Sequence, residues 1–282
     1  MQRIAQYLRP RTLEEAVALL KERRGKAVAL AGGTSLALRA PAGVDTLVDI
    51  TQLGLSGVVE EADHVRILAC TRIADLISAP AVQGLYGGVL AKAAARVAST
   101  PLRHMITVGG NAVQVLAWSD LPGVLLALNA QFVVAGDGQQ KVVPAQKFYA
   151  GHPRTLLAQH EIVTEIRIPR PAGRCHAAFV KVSKTAFDYA ALSVTVTAGF
   201  ESDAVKECAV VLGSVRPLPI RVKVAEDEVV GRVPTRDDVV RAAARAAGGV
   251  DPSPDFRYTK ELKGQLIKTW VKRCVRAALQ VR

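Results

Sequence analysis

The sequence segment that decides the fold is Leu30-Ala31-Gly32-Gly33-Thr34-Ser35-Leu36. A short apolar run at residues 27–30 leads into it and predicts a β-strand, so the paired glycines form a turn that opens a helix or a tight loop. Because glycine has no Cβ, the backbone here can approach a ligand closely and direct consecutive N–H groups toward one anion. The hydroxyl groups of Thr34 and Ser35 follow at once. The segment therefore suits the pyrophosphate of a dinucleotide, although Gly-Gly is also common in ordinary turns.

A second segment with the same plan is Thr107-Val108-Gly109-Gly110-Asn111. An apolar residue again precedes two glycines, and a polar side chain follows them. Asp120 comes shortly afterwards, before Leu121 and Pro122, in the position of a helix N-cap. Two such segments could hold one long ligand from two sides. Because neither matches G-x-G-x-x-G, we predict that the chain does not have a Rossmann dinucleotide-binding fold.

Together the two segments resemble the FAD-binding subunits of the molybdenum hydroxylases, the family that contains xanthine dehydrogenase and the medium subunit of carbon monoxide dehydrogenase. The resemblance covers nearly the whole chain, including the order of its elements. It implies an α+β protein with a two-lobed FAD-binding domain of the PCMH type at residues 1–171, the lobes covering about residues 1–55 and 56–171. A C-terminal domain with a small antiparallel sheet and helices is expected at residues 172–282.

The resemblance also implies a set of cofactor-binding residues. In the family, FAD lies extended between the two lobes, and the C-terminal domain closes over the isoalloxazine ring. Carried onto this chain, the first lobe would hold the pyrophosphate through Ala31, Gly32, Gly33, Thr34 and Ser35. The second lobe would approach it through Thr107, Gly109, Gly110 and Asn111. Three further cofactor neighbours are implied, namely Asp120 beside the ribose or adenine, Val163 as an apolar contact and Lys181 near the flavin.

Three of the side chains near this expected site have a second interpretation. Asp120 could serve only as a helix N-cap. Lys181 could stabilise negative charge on reduced flavin, or it could be a solvated residue of a strand. Tyr189, which follows Asp188 in a turn where the family typically has a basic residue, could cover the flavin face or could pack in the core.

The pattern of apolar residues predicts mixed helices and strands. Thr12-Leu13-Glu14-Glu15 is a capping-box pattern at the start of a helix. Residues 131–135 and 141–143, joined by Gly136-Asp137-Gly138, predict a β-hairpin. In the last part of the chain we predict strands at residues 177–182, 192–200 and 208–212, and helices at residues 220–230, 237–247 and 260–279.

Composition sets wider limits on function. The chain has 282 residues and a formal net charge of +12, which favours an acidic partner, an anionic cofactor or nucleic acid without choosing among them. The basic residues are dispersed and not interleaved with aromatic rings, which disfavours recognition of single-stranded nucleic acid. The basic segment at residues 260–282 is interpreted as a packed amphipathic helix whose lysines, among them Lys263, Lys268 and Lys272, are solvated.

Cysteine and histidine usage argues against a metal centre on this chain. Cys70, Cys175, Cys208 and Cys274 are scattered, so we predict buried, inert thiols and neither a disulfide framework nor an iron–sulfur site. The five histidines show no metal-ligand spacing, and no nucleophilic triad or acid/base carboxylate pair can be identified. The N-terminus lacks the apolar core of a signal peptide, and no apolar run approaches the ~20 residues of a membrane span. We therefore expect a cytoplasmic protein without a transmembrane segment.

The resulting functional hypothesis is the flavoprotein subunit of a multi-subunit molybdenum hydroxylase, and thus an oxidoreductase. The resemblance implies that a large molybdopterin subunit oxidises the substrate and that a small subunit with two [2Fe-2S] clusters conducts the electrons. FAD on this chain would pass them to NAD or another acceptor, in a dimer of heterotrimers. Two alternatives stay open: a standalone FAD-dependent oxidoreductase of the same fold, and a basic nucleic-acid-binding protein.

Overall fold

The computed structural model describes residues 4–38, 41–186 and 188–281. The strands are β1 Gln6–Leu8, β2 Ala27–Leu30, β3 Thr46–Asp49, β4 Val58–Glu60, β5 His64–Leu68, β6 Gln131–Gly136, β7 Gln139–Pro144, β8 Ile162–Pro169, β9 Cys175–Val182, β10 Leu192–Glu201, β11 Ala204–Gly213 and β12 Ile220–Arg221. The helices are α1 Leu13–Glu22, α2 Ile73–Ser78, α3 Pro80–Gly84, α4 Val89–Ala94, α5 Thr100–Arg103, α6 Val108–Val113, α7 Leu121–Ala127, α8 Ala145–Phe148, α9 Pro153–Leu156, α10 Lys223–Glu226, α11 Arg236–Gly249 and α12 Lys260–Ala278, with a 3₁₀-helix at Leu85–Gly88.

The first lobe is built on a small parallel sheet with the strand order β1-β3-β2. Helix α1 begins where Thr12 Oγ1 accepts a hydrogen bond from the Glu15 N–H, as the capping pattern predicts. Its buried residues Ala16 and Leu20 form a core with Val48 of β3. Because parallel strands end at the same edge of a sheet, the segment that follows β2 emerges beside the ends of β1 and β3.

The second lobe contains a five-stranded antiparallel sheet with the order β4-β5-β8-β6-β7. The predicted hairpin is confirmed, since β6 and β7 pair antiparallel and Asp137 and Gly138 both have positive φ, of 50° and 72°. Helices α2, α4, α6 and α7 contribute to the same hydrophobic core as the sheet, and that core includes Leu125, Phe132 and Ile166. This sheet and its helices form the body against which the remaining sheet packs.

The third sheet has the order β12-β11-β10-β9 and is antiparallel, as the run of strands predicts. One of its faces shares a hydrophobic core with α11 and α12. That core includes Val194 of β10 and Ile267 of α12. The other face meets the second lobe, where Val211 of β11 joins that lobe's core and Thr197 Oγ1 donates a 3.1 Å hydrogen bond to the Ala127 carbonyl of α7. The C-terminal part is therefore packed tightly onto the second lobe.

The predicted helix at residues 220–230 is wrong in its first half. Ile220 and Arg221 form β12 beside β11, and only the short helix α10 follows. The carboxylate of Glu226, fully buried, accepts hydrogen bonds from the Val210 N–H at 3.0 Å and from Arg221 Nε at 2.7 Å. These bonds hold the Arg221 backbone against the sheet, which helical periodicity alone does not reveal.

The four cysteines are free, and three of them are buried. Burial raises the pKa of the Cys70 thiol to about 11 and those of Cys208 and Cys274 to about 12. Cys175 is less buried, but burial followed by the nearby Glu207 carboxylate raises its pKa to about 11. Across residues 4–38, 41–186 and 188–281 no group of three or more His, Cys, Asp or Glu could hold a metal ion, and no helix is long and apolar enough to cross a membrane.

We expect the thiols of the native chain to be nearly unreactive. Because the thiolate is the reactive form, a thiol reagent at about pH 8 should modify all four cysteines at least about tenfold more slowly than in the guanidinium-unfolded chain. Ellman's reagent, followed by absorbance in both states, measures this difference. A cysteine of the native protein that reacts as fast as in the unfolded chain would contradict the assignment of inert thiols.

Candidate functional site

The first glycine segment carries a run of unused hydrogen-bond donors. Within the part of the chain that the structure describes, the N–H groups of residues 32–35 donate no hydrogen bond, and neither do the hydroxyls of Thr34 and Ser35. The turn instead uses carbonyl groups, since Gly33 accepts from the Ala37 N–H and Ser35 accepts from the Leu38 N–H. These residues are half-buried, and a ligand that shields their N–H groups from water would have to accept hydrogen bonds from them. The segment is thus ready for a ligand that carries several acceptors.

The two glycine segments lie against each other. A Cβ added at Gly32 would overlap the carbonyl oxygen of Met105, two residues before Thr107. Gly33 has a φ of +69°, a conformation that side chains other than glycine rarely adopt. The structure therefore brings together the segments at residues 31–35 and 107–111, which belong to different lobes.

The second segment forms the N-terminus of the short helix α6, so of the two expected outcomes it opens a helix. Thr107 is the N-cap, and its Oγ1 accepts from the Gly110 N–H at 3.2 Å. The Gly109 N–H donates to the Ala69 carbonyl at 2.8 Å, and a Cβ at Gly109 would lie 2.6 Å from the Ala69 Cβ. Gly109 therefore allows close packing on the chain after β5. Gly110 is exposed, and a Cβ added there would lie 2.8 Å from Thr107 Oγ1, the atom that caps the helix.

Three buried side-chain oxygens in this region lack a hydrogen-bond partner among the described residues. They are Asn111 Oδ1, Gln114 Oε1 and Asp120 Oδ1. Asn111 and Asp120 are residues that the family resemblance implies, whereas the sequence analysis missed Gln114. Its position at the end of α6, on the same side of the helix as Asn111, is the signal that could have identified it.

Asp120 is not a side-chain N-cap, which corrects that interpretation. It precedes α7 with helical φ and ψ angles and gives no side-chain hydrogen bond to the helix. Its Oδ2 instead accepts a 2.8 Å hydrogen bond from Lys181 Nζ, which also donates to the Arg96 carbonyl at 3.1 Å. The two side chains are only 3% and 5% exposed, so Lys181 is not a solvated strand residue. Burial raises the pKa of the Asp120 carboxyl group, although the Lys181 ammonium acts in the opposite direction.

Val163 is buried in β8, where it pairs with Val134. It belongs to the same hydrophobic core as Val108 of α6. Val163 therefore belongs to the core on which the second glycine segment packs.

Tyr189 lies at the surface next to the segment that carries Asp120, so the interpretation as a core residue is wrong. Its ring is stacked on Trp118 with the centroids 4.5 Å apart, and the residue is 47% exposed. Arg257, from the connection between α11 and α12, lies over the Tyr189 ring and forms a 2.6 Å ion pair with Asp188. The C-terminal part of the chain thus contributes an aromatic and cationic rim beside Asp120.

The available donors and acceptors match the chemistry of a flavin dinucleotide. A pyrophosphate offers only acceptors, which the free N–H groups and hydroxyls of residues 32–35 can satisfy. The sugar and ribityl hydroxyls offer donors, which the unpaired oxygens of Asn111, Gln114 and Asp120 can accept. The residues present therefore fit the cofactor that the resemblance implies.

Comparison with known proteins gives matches to FAD-binding and flavoprotein families over nearly the whole chain. Residues 2–171 match the family described as "FAD binding domain in molybdopterin dehydrogenase", and residues 177–278 match "CO dehydrogenase flavoprotein C-terminal domain". The carbon monoxide dehydrogenase medium chain of Hydrogenophaga pseudoflava is 33% identical over 278 residues, covering 97% of this chain and 96% of that protein. The caffeine dehydrogenase subunit beta of Pseudomonas sp. (strain CBB1) is 26% identical over 279 residues, covering 96% and 94%.

Solved structures show the same fold. The carbon monoxide dehydrogenase structure from Hydrogenophaga pseudoflava superimposes with a TM-score of 0.92 at 33% identity, covering 99% of this chain and 98% of that one. Quinoline 2-oxidoreductase from Pseudomonas putida 86 gives a TM-score of 0.89 at 26% identity, covering 99% of both chains. The predicted α+β architecture, with an FAD-binding domain followed by a C-terminal flavoprotein domain, is confirmed. This chain belongs to the molybdopterin dehydrogenase family of oxidoreductases, as a medium, FAD-binding subunit.

Proposed function

We propose that this chain is the electron-transferring flavoprotein subunit of a molybdenum hydroxylase, assembled with a large molybdopterin subunit and a small subunit carrying two [2Fe-2S] clusters. Bound FAD would supply the redox chemistry, taking electrons from the clusters and delivering them to NAD or another acceptor. The medium-chain and subunit names of the relatives support such an assembly, for which we propose a dimer of heterotrimers. The observation that carries the proposal is the run of unpaired N–H groups at residues 32–35.

The pyrophosphate is assigned to the junction of the two glycine segments. Its oxygens would accept from the N–H groups of residues 32–35 and from the hydroxyls of Thr34 and Ser35, with Ala31 as the last residue before the turn. From the second lobe, Thr107 caps the start of α6. Gly109 lets that helix pack closely on Ala69, and Gly110 avoids a contact with Thr107 Oγ1, so both would hold the second segment beside the ligand. The net charge of +12 favours a dianion at this junction.

The remaining assigned residues act on the rest of the cofactor. Asn111 and Asp120 would accept hydrogen bonds from its hydroxyl or amino groups through the oxygens that lack partners. Lys181 would keep Asp120 ionised and add positive charge near the flavin, where reduction creates negative charge. Val163 would support the apolar side of the site.

We also propose the division of the chain into an FAD-binding domain at residues 1–171, with lobes of about residues 1–55 and 56–171, and a C-terminal domain at residues 172–282. The separate hydrophobic core of β9–β12 with α11 and α12 supports this division. The direct bond between Lys181 of β9 and Asp120 means that a cofactor held near Asp120 would contact both domains.

The test is FAD binding by the full chain, alone and co-purified with its partner subunits. We expect one FAD per chain, and we expect the Thr34→Val/Ser35→Ala double variant to bind FAD at least about tenfold more weakly, because hydrogen bonds to charged groups contribute about 1.5–3 kcal/mol each. Isothermal titration calorimetry and flavin absorbance measure this. Ser253→Ala, at an exposed serine outside the site, should leave the affinity unchanged. Failure of the wild-type chain to bind FAD, even with its partners, would overturn the proposal.

A further inference from the structure

Gln114 ends helix α6 with its side-chain oxygen buried and unpaired. Its backbone N–H already caps the helix by donating to the Gly110 carbonyl at 3.0 Å, so the side chain is not needed to end the helix. Within residues 4–38, 41–186 and 188–281, its Oε1 has no hydrogen-bond partner. A buried acceptor left without a partner is unfavourable, which argues for a partner that is not part of the protein.

Unpaired buried oxygens are concentrated in α6 and the segment that follows it. Eight buried side-chain nitrogen or oxygen atoms in the described residues lack a hydrogen-bond partner. Three of the eight belong to Asn111, Gln114 and Asp120, and all three are acceptors. Asn111 and Gln114 are three residues apart, so they lie on neighbouring positions of one helix face. One ligand with several donor groups would satisfy all of them.

Side chains from a later part of the chain contact the backbone on both sides of Gln114. The Tyr149 hydroxyl lies 3.4 Å from the Ala112 carbonyl, and His152 Nε2 lies 3.1 Å from the Val115 carbonyl. Tyr149 and His152 lie in the region of α8 and α9, and each is 37 residues further along the chain than the residue it contacts. The backbone at the end of α6 is therefore fixed in position, which gives the Gln114 side chain a defined point of attachment beside a ligand.

We propose that Gln114 is a further FAD-binding residue, whose Oε1 accepts a hydrogen bond from a hydroxyl group of the ribityl chain or the ribose. The phosphates cannot be its partner through this atom, because phosphate oxygens are acceptors. This inference rests on the proposed function. It extends the site from the pyrophosphate along α6 toward Asp120, and it makes Gln114 a residue that orients the cofactor without taking part in electron transfer.

The test compares Gln114→Met, which keeps the length of the side chain and removes the acceptor, with the wild-type full chain. We expect the Kd for FAD to rise about 2- to 10-fold and FAD to dissociate faster, which is the range that loss of one hydrogen bond between uncharged groups produces. We expect the Tm of the FAD-free variant to be unchanged or higher, because an unpaired buried oxygen has been removed. Gln146→Met, at an exposed glutamine, is the matched control.

FAD analogues that lack one hydroxyl identify the partner. The wild-type chain should lose affinity for one analogue, whereas Gln114→Met should bind that analogue and FAD equally, because the same hydrogen bond is already absent. Gln114→Glu keeps an acceptor and should bind FAD more tightly than Gln114→Met. If the methionine variant does not fold, the glutamate variant is compared with the wild-type chain instead. Wild-type affinity of Gln114→Met for FAD would overturn the inference and leave the proposed function intact. Absence of FAD binding by the wild-type chain would overturn both.

Discussion

Replacing Lys181 by methionine is expected to lower the free energy of unfolding by about 3–5 kcal/mol, because it leaves the Asp120 carboxylate buried without its counter-ion. The two groups are 2.8 Å apart, and each side chain is almost fully buried. Methionine nearly fills the volume of the lysine stem, so the loss should come from the charge rather than from a cavity. Urea unfolding of the FAD-free full chain, followed by circular dichroism, measures the difference.

Lys206→Met is the matched control for this loss. Lys206 also lies on a strand of the third sheet, but its ion pair with Glu201 is longer, at 3.6 Å. The Lys206 side chain is 65% exposed and the Glu201 side chain 74% exposed. Exposed pairs contribute about 0–1 kcal/mol, so this variant should stay close to the wild type. The double variant Asp120→Asn/Lys181→Met should recover part of the stability, since no unpaired charge is left. Equal effects of Lys181→Met and Lys206→Met would contradict the role given to the buried pair.

The deficit of Lys181→Met should also depend on pH in a defined direction. Burial raises the pKa of Asp120 in the folded chain above its unfolded value, so ionisation of this group disfavours folding. Its contribution to stability is present at low pH and is lost as the pH rises through the folded pKa. Without Lys181 the folded pKa should rise further. The stability difference between variant and wild type should therefore shrink as the medium becomes acidic, and a constant difference would argue against an electrostatic origin.

The sequence predicted that both glycine pairs contribute to the candidate site, but it did not reveal the local structure of the second pair. The first pair stands in a turn with free N–H groups, as expected. The second pair lies in helix α6, which propensity disfavours because glycine weakens helices. Tertiary contacts decide the outcome, namely the Thr107 cap and the hydrogen bond from Gly109 to Ala69. Neither contact is visible in a local sequence window.

Buried charges were the other features that local patterns could not reveal. Asp120 and Lys181 are 61 residues apart in sequence, so a plausible N-cap pattern concealed an ion pair between two parts of the fold. Lys263, interpreted as a solvated residue of the basic helix, is only 2% exposed. Its Nζ binds Asp255 at 2.9 Å and the Ser214 carbonyl at 3.0 Å. Helical periodicity identifies the face of a residue, whereas partners supplied by distant loops decide whether a lysine on that face can be buried.

Gly32→Ala is expected to weaken FAD binding by about 100-fold, equivalent to roughly 2.7 kcal/mol, and to lower the stability of the FAD-free chain by about 1–3 kcal/mol. The added Cβ would overlap the carbonyl oxygen of Met105, a backbone atom that cannot rotate away. The two glycine segments must then separate, which displaces the N–H groups of residues 32–35 from the second lobe. Calorimetric titration with FAD and thermal unfolding measure the two effects.

Gly84→Ala separates this steric effect from a general effect of removing glycine. Gly84 has a φ of −79°, and nothing lies within 4 Å of an added Cβ, so alanine there should leave both affinity and stability within about 0.5 kcal/mol of the wild type. Wild-type affinity of Gly32→Ala would mean that the contact between the segments does not shape the cofactor site. A variant that loses stability but keeps its affinity would limit Gly32 to a packing role. The expected loss of both follows only if the contact that joins the lobes also positions the donors for the pyrophosphate.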